Sequence, residues 1–91
     1  MIIYLHKTEL AILNYLKERY LRTLSIHHDI CLLDTPIEGI PSFKILYNVL
    51  EGLYLRGFIF KPLLYEPELS FVQNIVLTEK ALNFFNQPKK V

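Results

Sequence analysis

Apolar side chains at Leu10, Leu13, Leu16, Tyr20 and Leu21 recur at the spacing that lines one face of an α-helix. Thr8 ahead of them is a favoured N-cap residue, and Glu9 suits the positive end of the helix dipole. A helix is therefore predicted over roughly residues 9 to 21. Ala11, Ile12 and Tyr15 lie beside or behind the Leu13/Leu16 stripe and leave Asn14, Lys17, Glu18 and Arg22 as a narrow polar face. That is more apolar surface than one core stripe needs. Either other elements of the same chain cover it, or Ala11, Ile12 and Tyr15 form the seam of a homodimer.

Residues 22 to 34 carry two patterns: Leu24, Ile26, Ile30 and Leu32 alternate as in a strand, while Leu24, His28 and Leu32 fall at helical spacing. Thr35-Pro36-Ile37-Glu38 reads as a capping box with proline at the first helical position, but Gly39 and Pro41 limit that helix to about one turn. A clearer helix follows. Ser42 is its N-cap, Leu46, Leu50 and Leu53 share its apolar face, and Gly57 is placed to end it in the left-handed conformation. Phe58 to Phe60 and Phe71 to Leu77 are strand-forming runs. Residues 87 to 91 read as a frayed end of one domain spanning residues 1 to 91.

The stretch SFKILYNVLEGLYLRGFI, from Ser42 to Ile59, resembles the recognition helix and first wing strand of winged helix-turn-helix domains. The run from Phe71 into Leu77-Thr78-Glu79-Lys80 is similar to the entry into the last helix of many bacterial winged-helix regulators, and the likeness covers roughly residues 33 to 86. The resemblance implies an α+β winged helix: a three-helix core, a β-hairpin wing and a C-terminal helix. Ile37 and Ile40 would be the buried residues of its second helix. It also implies a small transcriptional regulator that inserts its third helix, about residues 42 to 56, into the major groove of double-stranded DNA. Ser42, Lys44, Tyr47 and Asn48 would then face bases or phosphate, with Arg56 and Lys61 on the backbone.

Charge qualifies that expectation. Ten Lys and Arg stand against nine Asp and Glu, a formal net charge of +1, so any attraction to phosphate must come from a local patch of Lys44, Arg56 and Lys61. The loop expected at the wing tip, Leu64 to Ser70, carries Glu66 and Glu68 and no base, which phosphates would repel. Its Tyr65 and Leu69 suit a protein surface instead, so the alternative is a winged-helix protein-protein interaction module that binds no DNA.

A chain of 91 residues, 52% hydrophobic and with six Tyr and six Phe, supports one core and little else. Cys31 is the only cysteine, which excludes an intrachain disulfide. The apolar start, Met1 to Leu5, is broken by His6-Lys7 and is too short for a signal core or a membrane span, so a cytoplasmic setting is expected. His27, His28, Asp29 and Cys31 are the one cluster of metal-type ligands, but they offer too few ligands on a shared face, and no metal or cofactor is expected. Gly52 to Gly57 lacks the Lys-Ser/Thr ending of a phosphate loop, and Ser25, Ser42 and Ser70 stand in no nucleophile-elbow context, so no enzymatic activity is expected.

Overall fold

A computed structural model of the chain describes residues 5 to 86, so the expected frayed end at 87 to 91 lies outside the described residues. The elements run α1 (Lys7–Thr23), β1 (His27–Cys31), α2 (Phe43–Leu55), β2 (Leu64–Glu66), a 3-10 turn (Pro67–Leu69), β3 (Phe71–Val76) and α3 (Glu79–Phe85). Among the described residues the architecture is α+β: three α-helices and one three-stranded antiparallel sheet of order β1-β3-β2.

The first helix begins two residues before its predicted start. His6, not Thr8, is the N-cap, because the Glu9 carboxylate turns back to accept the His6 backbone N–H at 3.0 Å. Leu24, in the left-handed conformation, ends the helix by donating its N–H to the Tyr20 carbonyl. Ile12 is fully buried with Leu13 and Leu16, which corrects its assignment to a dimer seam: these three residues span a stripe wide enough to face the core alone. Ala11 and Tyr15, the other two residues of that seam, are partly buried against the same core.

The doubled pattern of residues 22 to 34 resolves into a strand. β1 pairs antiparallel with β3, and a bulge falls between His28 and Ile30. At that bulge Asn74 adopts φ 66°, and Asp29 Oδ1 accepts its backbone N–H at 3.1 Å. His28 and Ile30 point inward, and His27 and Asp29 outward.

Residues 35 to 40 form no helix, contrary to the pattern read there. The chain reverses through a bridge between Ile37 and Ile40, with Gly39 at φ +90°. Pro36 and Pro41 have no N–H for a helical ladder, and Gly39 takes a conformation that a helix does not use. Ile37 and Ile40 are nonetheless buried, as the resemblance implied for these two positions.

α2 forms as predicted. The Ser42 hydroxyl accepts the Ile45 N–H, and Leu46, Val49, Leu50 and Leu53 enter the core. Its end is a Schellman motif: Phe58 donates to the Leu53 carbonyl, Gly57 to Tyr54, and Gly57 sits at φ +83°. Phe58 to Phe60 run beside Val76 to Thr78 through a single bridge, Ile59 with Leu77, rather than as the first strand of the hairpin. That strand is β2, so Leu64 to Glu66, expected as loop, are paired, and the hairpin tip shrinks to the 3-10 turn and Ser70. Thr78 caps α3 by accepting the Ala81 N–H, and its hydroxyl donates to the Gly57 carbonyl, tying the start of α3 to the end of α2.

Candidate interaction surface

The outward side of α2 is the surface that the sequence marked out, and its neighbours decide what it offers. Ser42, Lys44, Tyr47 and Asn48 are exposed, as expected for residues opposite a buried leucine stripe. Tyr54 and Leu55 extend the same side, with Leu55 81% exposed.

The two remaining members of the expected basic patch are held by carboxylates. Arg56 Nε lies 2.8 Å from Glu9 Oε2, and the Glu9 side chain is only 5% exposed. Lys61 Nζ lies 2.9 Å from Glu51 Oε1 and 4.6 Å from the centre of the Tyr54 ring, a cation–π contact. Glu51 also accepts the Tyr65 hydroxyl at 2.9 Å. The hydrogen bond from Lys61, and then that from Tyr65, hold the Glu51 carboxyl below its ordinary pKa. The same contact raises Lys61. Burial, and then the bond to Glu51, push the Tyr65 phenol well up, so it remains a donor.

Tyr65 therefore does not project from the hairpin as a free contact. Its ring packs at 4.8 Å from Tyr47 and edge-on to Phe43 at 6.1 Å, which folds β2 back against α2. Its neighbours in β2 point the other way because side chains alternate along a strand. Leu69 at the tip is exposed as expected, and Glu66 and Glu68 beside it have no cationic partner among the described residues.

On the other flank, α2 and the start of α1 enclose a groove of about 460 Å³. Thr8 and Glu9 form one wall, and Ile45, Val49, Leu55 and Arg56 the other. Along the sequence Glu9 marks only a charge suited to the helix dipole and gives no sign of the groove. Gly52 was the available signal, since glycine within a helix costs about 0.5–1 kcal/mol relative to alanine and marks close approach. A Cβ at that position would stand 3.1 Å from Glu9 Oε2.

β1 separates the metal-type residues, with His28 on the face opposite His27 and Asp29. No group of three or more His, Cys, Asp or Glu converges as a metal site among the described residues. No helix among them is long and apolar enough to cross a membrane. Comparison of the chain with protein-family models, with curated proteins and with solved structures returned no match.

Proposed function

We propose that this chain is a winged-helix module that binds another protein through the outer side of α2 and the adjoining hairpin. The winged-helix assignment is supported by the order of elements: α1, β1, a buried reversal carrying Ile37 and Ile40, the capped helix α2, a hairpin, and sheet order β1-β3-β2. The last helix, α3, follows the hairpin directly.

One observation carries the choice of a protein over DNA. Of the three cations expected to form the basic patch, Lys44, Arg56 and Lys61, the last two are each neutralised within the chain, by Glu9 and Glu51. A neutral pair projects little long-range field, whereas non-specific DNA affinity comes from several unneutralised cations displacing counterions. Glu66 and Glu68 at the hairpin tip add repulsion where a DNA-binding wing needs attraction. Exposed Tyr47, Tyr54 and Leu55 supply instead the aromatic and aliphatic area typical of the centre of a protein interface.

Fluorescence anisotropy with mixed duplex DNA, repeated across salt concentrations, tests this directly. The expected result is no saturable binding even at low salt. Affinity that falls steeply with salt and is lost in Lys44→Ala would overturn the proposal and restore the helix as a DNA reader. On the positive side, a partner isolated with the wild-type chain should be lost with Leu55→Asp and retained with a charge change on the outward face of β1, such as Asp29→Asn.

A further inference from the structure

We propose that the groove between the start of α1 and α2 is a subsite for the C-terminal carboxylate of a peptide ending in aliphatic residues; this rests on the protein-binding reading above and names the chemistry of the partner. Three features of the groove point there.

The first is a pre-oriented guanidinium. Arg56 uses Nε on Glu9, and among the described residues its two Nη groups make no hydrogen bond, so the planar end of the fork is left for an incoming pair of oxygens. The Arg56 side chain is 37% exposed and lines the groove.

The second is the state of Glu9. Its Oε1 accepts the His6 N–H and its Oε2 pairs with Arg56, so both oxygens are occupied within the chain. The carboxylate thus holds the arginine in place, and Gly52 supplies the room for it to do so.

The third is the floor. Ile45 and Val49 lie along the same side of α2 as Gly52 and Arg56, and Leu55 flanks them, so the cationic end is continuous with an apolar wall. A single desolvated carboxylate beside apolar area binds through short-range contacts and needs no long-range positive field. The same neutralised arginine therefore disfavours DNA and suits this ligand.

The probe is N-acetyl-leucyl-leucine, titrated into the isotope-labelled chain and followed by NMR, with N-acetyl-leucyl-leucinamide and inorganic phosphate in parallel. Saturable shifts confined to Arg56 Nε–H and the methyls of Ile45, Val49 and Leu55 are expected, with the amide weaker by about tenfold, the value of one charge-assisted hydrogen-bond pair. The double variant Glu9→Gln, Arg56→Gln keeps the latch neutral and should lose the preference for carboxylate over amide. Leu55→Asp, at an exposed position, should weaken the acid without unfolding the chain. Equal binding of acid and amide, absence of saturable shifts in the groove, or phosphate binding as well as the leucine acid would each overturn the subsite. If the subsite fails while a partner is still captured through Tyr47 and Leu55, only this inference falls. DNA binding at low salt would instead remove the reading beneath it.

Discussion

Replacing Arg56 by alanine leaves the Glu9 carboxylate, 5% exposed, with the His6 N–H as its one remaining partner from the hydrogen bonds described. Removing one member of a fully buried ion pair costs about 3–5 kcal/mol, because the other charge stays desolvated. Here the loss should be smaller. The Arg56 side chain is 37% exposed, so solvent already screens the pair and water can enter the space that the side chain vacates. A net destabilisation of about 1–2 kcal/mol is expected, a fall in melting temperature of roughly 4–8 °C per kcal/mol for a domain of this size. Urea denaturation of wild type, Glu9→Gln, Arg56→Ala and the double variant measures the coupling directly. Gly52 provides an independent check on the same contact. In a Glu9→Ala background, Gly52→Ala should stabilise by about 0.5–1 kcal/mol through helix propensity. In the wild type the new Cβ would stand 3.1 Å from Glu9 Oε2, and the gain should vanish or reverse. Additive effects of Glu9 and Arg56 within error, or an equal gain from Gly52→Ala in both backgrounds, would refute the latch between α1 and α2.

Gly57→Val should destabilise by about 1–2 kcal/mol, since a side chain at φ +83° meets left-handed strain while the Cβ itself has room, 3.6 Å from Lys80 Cδ. An unchanged urea midpoint would show that the Schellman motif does not depend on glycine. Burial of His28, whose Nε2 finds no partner among the described residues, holds its pKa below the ordinary 6.5 despite the opposing pull of the Ser25 backbone. The folded chain therefore binds fewer protons at this site than the unfolded one. Its contribution to stability is complete above 6.5 and is lost as pH falls through the lowered folded-state value. Stability measured from pH 7.5 downward should decline more steeply in wild type than in His28→Gln, and parallel curves would contradict this account.

The elements legible along the chain are those whose causes are local. Ser42 and Gly57 act on backbone groups within a few residues, and the stripe Leu46, Leu50 and Leu53 follows from helical geometry alone, so α2 stands where the pattern put it, while α3 starts where the winged-helix resemblance implied. Residues 22 to 34 matched both periods equally. Only the hydrogen bonds that β3 supplies from forty or more residues away made β1 a strand. The winged-helix resemblance implied burial of Ile37 and Ile40 but within a helix, whereas the observed reversal depends on Gly39 and on two prolines that cannot join a helix.

Charge at the candidate site divides in the same way. The residue types were plain in the sequence: Lys44, Tyr47 and Asn48 lie on the outer side of α2, and Arg56 and Lys61 lie just past its end. Whether those last two cations are free depended on carboxylates elsewhere: Glu51, ten residues from Lys61, and Glu9, forty-seven from Arg56. An ion pair is a matter of distance in space, and no periodicity along the chain encodes it. Local chemistry thus determined α2 and its ends, while the tertiary structure alone decided the strand and the pairing of Arg56 and Lys61 with carboxylates, because each of those rests on groups that only folding brings together.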